Sequence, residues 1–182
     1  MARSRKQNKD KLSTDQVTTK RWLRKIITQA IQLWAPALKL DSFVDQISFY
    51  IADGNDPMMD ALAGAEILVD STTRTAMIKI KNNVVAKFAS EYAGEYSPTD
   101  IVEMTVIHEL SHILTHPISK WAHSTIETMR NNKALENLFS EQEEIIVEHL
   151  ARLFFAMKSN IEAGKFKGKI IYLTKDPDIK EG

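Results

Sequence analysis

Cysteine is missing from this chain of 182 residues. Its absence excludes disulfides and thiolate metal ligands together, so any bound metal must be held by His, Asp or Glu. No apolar run approaches the length of a membrane span, and residues 1–18 carry no apolar stretch of the kind a secretory signal needs. A soluble cytoplasmic protein with no membrane partner is therefore expected. Net charge is missing as well, with 24 Lys and Arg against 24 Asp and Glu. That balance conceals an asymmetry: residues 1–25 hold nine Lys or Arg and two Asp. A weak electrostatic contact with nucleic acid through residues 1–25 follows as an expectation. No aromatic side chain interleaves with the charges of residues 1–18, which argues against a stacking platform for single strands.

What is present is an ordinary globular composition, 43% hydrophobic and 26% charged, in a chain long enough for one domain with tails. Residues 1–18 are too polar to fold alone and are expected to be a disordered tail. Residues 19–165 form the expected domain, and 166–182 a C-terminal extension with a short strand over 169–174 before a frayed end. Trp22, Ile26, Ile27, Ala30, Leu33 and Trp34 recur at helical spacing, with Pro36 near the end of that helix. Residues 42–52 are rich in Phe, Ile, Val and Tyr and suggest a strand, followed by a loop over 53–60. The three Asp of that loop lack the glycine and terminal glutamate that an EF-hand requires at fixed positions. Residues 65–70 and 75–80 suggest two strands joined as an antiparallel pair by Ser71-Thr72-Thr73-Arg74. Lys79 and Lys81 alternate with Ile78 and Ile80 as on a half-exposed edge, and 83–92 suggests a short helix.

Ser97-Pro98-Thr99-Asp100 is a helix start, with a capping serine, a proline at the first helical position and an acid in the first turn. The helix it opens carries Val106-Ile107-His108-Glu109-Leu110-Ser111-His112-Ile113-Leu114 and should stop near Thr115, because Pro117 follows. Residues four apart lie on one helix face, so His108 and His112 can approach one metal ion together. Glu109 then sits beside any water that ion holds. This His-Glu-x-x-His pattern is the zinc-binding signature of a large class of metalloproteases.

Catalytic zinc takes three protein ligands and leaves one position open. His116 is disfavoured by Pro117, and His123 lies in irregular sequence. A glycine at 115 and a histidine at 118 would extend the motif from His112, but Thr115 and Ile118 stand there. A second helix is expected to begin at Ser140, in a capping box with Glu143, and to be buried on most sides. Glu143 is then occupied as a cap, and Glu148 precedes Arg152 at ion-pair spacing. Glu144 shares a face with Val147 and Ala151, where a carboxylate is costly unless paired or bound to metal. Glu144 is the first choice for third ligand and Glu148 the alternative.

The stretch from Thr105 to Leu114 resembles the extended zincin consensus, and Glu144-Ile145-Ile146-Val147-Glu148-His149-Leu150-Ala151 looks like the third-ligand helix of gluzincins. The order of elements is also similar to compact gluzincin-like proteins, including those of phages and prophages. The resemblance covers roughly residues 19–157. It implies a zincin-like α+β fold with a small antiparallel or mixed sheet, the His-Glu-x-x-His helix and a second helix bearing a glutamate. It further implies a zinc ion held by His108, His112 and Glu144, and hydrolysis of peptide or protein substrates with Glu109 as general base. The chain departs from larger gluzincins in having no C-terminal subdomain and no motif for the oxyanion, for which Tyr92, Tyr96 and His149 are the candidates. The alternative is a zinc-stabilised binding protein of weak or no activity, associated with nucleic acid through its basic N-terminus.

Overall fold

The computed structural model describes residues 4–53, 59, 63–88, 96–129, 132–162 and 172–173, with backbone alone for 4–18, 161–162 and 172–173. The remainder of the 53–60 loop, Tyr92 and most of the C-terminal extension lie outside the described residues. The first helix, α1 (Ser4–Ala37), begins well before the apolar periodicity does. Residues 4–18 were expected to be a disordered tail, but they contain no Gly or Pro and can extend a helix nucleated further along. The apolar pattern marks where α1 gains packing. Leu23, Ile27, Ile31 and Trp34 are buried along one face of it.

That face packs on a small mixed sheet of order β2-β3-β1-β4. Strand β1 (Gln46–Ala52) buries alternate residues, Ile47, Phe49 and Ile51. Strand β3 (Thr75–Lys81) runs parallel beside it, pairing Ala76, Ile78 and Ile80 with those three, so the two apolar rows align on one face. Strand β2 (Ala65–Asp70) pairs antiparallel with β3 through the 71–74 turn, as the sequence suggests. Strand β4 (Tyr172–Leu173) adds two residues parallel to β1, within the stretch where a strand was expected. The fold is α+β.

Three expectations are corrected. Strand β3 is interior, because β1 pairs along its other side. Lys79 bonds Glu66 of β2 at 2.9 Å, and Lys81 is buried. Parallel pairing is non-local and leaves no signal near the strand itself. Second, the helix opened by Ser97, α3 (Pro98–Thr128), does not stop near Thr115 but runs through Pro117, so His116 and His123 are helical. Its start is as expected, with Ser97 Oγ accepting from the Asp100 amide and Asp100 returning the bond. Around the proline, the Thr115 and Ser119 hydroxyl oxygens lie 3.2 and 3.1 Å from the carbonyl oxygens of His112 and Thr115.

Third, α4 (Lys133–Ala156) starts seven residues before Ser140, capped by Asn132, whose side chain accepts from the Leu135 amide. Lys133, Ala134, Leu135 and Glu136 are good helix formers, and Ser140 falls in the helix interior. Nor is α4 buried on most sides. Val147 and Ala151 form its buried stripe, while Ile145, Ile146 and Leu153 are about half exposed. The short helix expected within 83–92 is α2 (Val84–Phe88), and α5 (Lys158–Glu162) follows α4. Among the described residues, no helix is long and apolar enough to cross a membrane.

The core lies between α1, the inner sheet face and α3, which contributes Val106, Ile107, Leu110 and Ile113. Those four residues turn into the core and leave His108 and His112, on the other side of the same turns, facing β2 and α4. The packing of α3 therefore sets where its histidines point.

Candidate metal centre

His108 and His112 stand one turn apart on α3, with ring centroids 5.1 Å apart. Both turn Nε2 towards Glu144 on α4. His108 Nε2 lies 3.3 Å from Glu144 Oε2, and His112 Nε2 lies 3.4 Å from Glu144 Oε1. One donor atom from each of the three residues falls within 4.8 Å of the others, so the group could hold a metal ion. The first-choice triplet is thus brought together. Glu144 itself is more exposed than expected, with 61% of its side chain accessible. It faces an open cleft of about 950 Å³ rather than packed side chains.

The outward nitrogens of both rings face carboxylates. His108 Nδ1 lies 3.3 Å from Glu148 Oε2, and Glu148 Oε1 accepts from Arg152 Nε at 2.7 Å. The expected Glu148–Arg152 pair is present, and the other carboxylate oxygen of Glu148 reaches the first histidine. His112 Nδ1 lies 3.7 Å from Glu143 Oε1, a charge contact longer than a hydrogen bond. Glu143 does not cap a helix. Thr115 Oγ1 donates to it at 2.8 Å, and Ser119 Oγ donates to the same oxygen. A carboxylate only accepts, so the Glu148 contact places a proton on His108 Nδ1, on the opposite side of the ring from the Nε2 that faces Glu144.

The two histidines differ electrostatically. Burial alone would lower the His108 pKa, but hydrogen bonds to Glu144 and Glu148 and the charge of Glu109 raise it to about 10. His112 is lowered, chiefly by burial. Glu148 is pulled down to about 2 by its bond to His108 and by Arg152, and Glu144 is lowered chiefly by its bond to His108. Glu109 is 5% exposed, and burial pushes its pKa up to about 8.

The cleft runs between α3 and β2, whose residues from Ala65 to Asp70 all line it. Strand β2 is at the end of the sheet order, so its outer edge is unpaired among the described residues. His116 and His123 line the cleft beyond His112, but neither belongs to the group that could hold a metal. Tyr96 and His149 do not line it. Tyr96 packs edge-on to Phe155, and His149 Nδ1 bonds the Ile145 carbonyl at 2.7 Å. The contributions of Glu143, Thr115 and Ser119 were missed in the sequence. Their signal was the spacing of Thr115 and Ser119 on the His112 face, masked by the assumption that Pro117 ends α3. Compared with models of protein families, with curated proteins and with solved structures, the chain matches none.

Proposed function

We propose that this chain is a zinc-dependent peptidase of the gluzincin type. The observation that carries the reading is the convergence of His108 Nε2 and His112 Nε2 on Glu144, beside the buried Glu109. The donor set fits zinc. One donor atom from each of the three residues lies within 4.8 Å of the others, and each Nε2 meets a different oxygen of Glu144, so a carboxylate and two imidazoles face one point as a zinc ion requires. Two imidazoles, one carboxylate and no thiolate make a catalytic rather than a structural donor set, with a fourth position for water. Bound there, zinc would supply a Lewis acid for the scissile carbonyl and a lowered pKa for water.

The chain's own residues account for the rest. Glu109 takes the proton of the attacking water and returns it to the leaving amine, from a buried position next to His108. Glu148 and Glu143 hold the two imidazoles in register. The open edge of β2 offers main-chain hydrogen bonds to an extended peptide laid along the cleft, which favours peptide over small-molecule substrates. The arrangement of a mixed sheet, a His-Glu-x-x-His helix beside its edge strand and a second helix bearing Glu144 supports a zincin-like fold.

A second reading, a zinc-stabilised binding protein with little turnover, is favoured by one observation. Neither Tyr96 nor His149 reaches the cleft to stabilise an oxyanion. One experiment separates the two. Purified protein is analysed for metal by mass spectrometry and tested on a quenched fluorogenic peptide library, beside Glu109→Gln, His108→Ala and Glu144→Ala. The peptidase reading expects one zinc in the parent and in Glu109→Gln, none in the other two, and a rate reduced about 10²–10⁴-fold by Glu109→Gln. A zinc-loaded parent that cleaves nothing would establish the second reading.

A further inference from the structure

The cleft changes character along its length. Around His108 and His112 the other ionisable side chains of the lining are acidic, and apart from the buried Glu109 each of these carboxylates is engaged. Glu66 bonds Lys79, Glu143 bonds Thr115 and Ser119, Glu144 meets both histidines, and Glu148 bonds His108 and Arg152. Two turns further along α3 the lining turns to His116, Lys120 and His123. Among the described residues, Lys120 is the one lysine or arginine that lines the cleft.

Its ammonium spans the two walls. Lys120 Nζ donates to Ser71 Oγ at 2.7 Å, joining α3 to the β2–β3 turn. No carboxylate lies within ion-pair distance of it among the described residues. Asp70, the nearest acid in sequence to Ser71, is turned into its own turn, where it accepts from the Thr72 and Thr73 amides and the Thr73 hydroxyl. An ammonium has three donors and Ser71 accepts one, so two remain for a ligand in the cleft. The Ser71 contact fixes a side chain that would otherwise lose much rotamer freedom on binding.

We propose that Lys120 selects the substrate by holding one of its carboxylates, an acidic side chain or the chain terminus, roughly three to four residues from the bond that is cut. This rests on the peptidase reading above. The distance follows from helix and strand geometry. Lys120 lies eight residues beyond His112 on the same helix, about 12 Å along its axis. An extended peptide at about 3.3 Å per residue covers that span in three to four residues.

The test uses zinc-loaded protein and amidated fluorogenic peptides that differ by Glu, Gln or Lys at each position within five residues of the cleaved bond, with a free-acid series beside them. In the parent, Glu at one position three or four residues away should raise kcat/KM about 1.5- to fivefold over Gln, the range of an exposed ion pair. If the free-acid series carries the preference instead, the chain terminus is the carboxylate held. Lys120→Glu should invert the preference towards Lys, and Lys120→Gln should bring the Glu/Gln ratio to about one. Raising the salt concentration should shrink the parent's ratio. Zinc content and circular dichroism of both variants show whether they fold. A parent that cleaves Glu, Gln and free-acid peptides alike, or a ratio unchanged in folded Lys120→Glu, overturns the selection while leaving the peptidase reading intact. A parent that cleaves no peptide overturns the peptidase reading, and the selection falls with it.

Discussion

His108 Nδ1 stands 3.3 Å from Glu148 Oε2, on the side of the ring opposite Glu144. The same glutamate is fixed from behind by Arg152 at 2.7 Å. A chain of three side chains, Arg152 to Glu148 to His108, therefore runs along α4 and across to α3. It sets the ring's tautomer and its aim. Removing a carboxylate that orients a ligating histidine costs about 10–100-fold in metal affinity. Glu148→Gln should weaken zinc binding by that amount, measured by competition with a chromophoric chelator. Arg152→Ala, which leaves the Glu148–His108 contact in place, should cost less than Glu148→Gln. Equal losses would mean that Glu148 does not act through His108.

The second histidine is supported through α3 itself. Thr115 and Ser119 both donate to Glu143, which faces His112 Nδ1. In the double variant Thr115→Val, Ser119→Ala, Glu143 loses both donors and is free to swing from the ring. Zinc affinity should fall by about tenfold, at the lower end of such effects because the His112 contact is 3.7 Å long. Unchanged affinity in a folded double variant would assign these hydroxyls to helix packing alone.

How much of this was legible beforehand differs by residue. His108, Glu109 and His112 could be placed because i, i+4 spacing on a helix is a local rule. Glu144 could be chosen because its neighbours Val147 and Ala151 mark the buried stripe of α4, and both are buried. The α3 start at Ser97 is equally local, and its capping box is present. What failed depended on partners distant in sequence. Lys79 and Lys81 read as an edge because nothing near them announces β1 on the other side. Ser140 and Glu143 fit a capping box, but Asn132 caps α4 earlier, and that freed Glu143 for Thr115 and Ser119. Ile145, Ile146 and Leu153 suggested a buried helix because apolarity was counted without knowing that a single stripe packs. Each error comes from treating a local preference as decisive where tertiary contacts outweigh it.

Stability of the metal-free protein should follow the pH with a definite sign. Glu148 is lowered from 4.5 to about 2, so its contribution is present above 4.5 and lost as pH falls through about 2. His108 is raised from 6.5 to about 10, so its contribution is full below 6.5 and lost as pH rises through about 10. Glu109 is raised from 4.5 to about 8, so the folded state binds the extra proton between those values and stability falls across them. Melting temperatures in chelator should therefore climb from about pH 2 to 4.5 and decline from about pH 6.5, above which the lowered His112 no longer opposes the loss, to about 10. Glu109→Gln should flatten the part of the decline below about pH 8. In the proposed site zinc would take the place of the proton on His108 Nε2, so uptake at neutral pH should release at least one proton. Calorimetry in two buffers of different ionisation enthalpy measures it, and zero release would refute the His108 assignment.

Pro117 offers a test of the helix that carries the site. It lies inside α3 on the solvent side and does not line the cleft. A proline in a helix interior removes one hydrogen bond and crowds the carbonyl four residues earlier, here Ile113, at a cost of about 3 kcal/mol relative to alanine. Part of that cost is offset because proline also restricts the unfolded chain, by about 1 kcal/mol. Pro117→Ala should thus stabilise the protein by about 2 kcal/mol, a rise of roughly 4–8 °C in Tm for a chain of this size. Zinc content and affinity should not change, because Thr115, Ser119 and Glu143 keep their bonds on an α3 that already continues past residue 117. The opposite result is equally informative. If Pro117→Ala lowers zinc affinity, the proline sets the path of α3 beside the metal-binding group, and the uninterrupted helix is not enough to hold His112 and Glu143 in place.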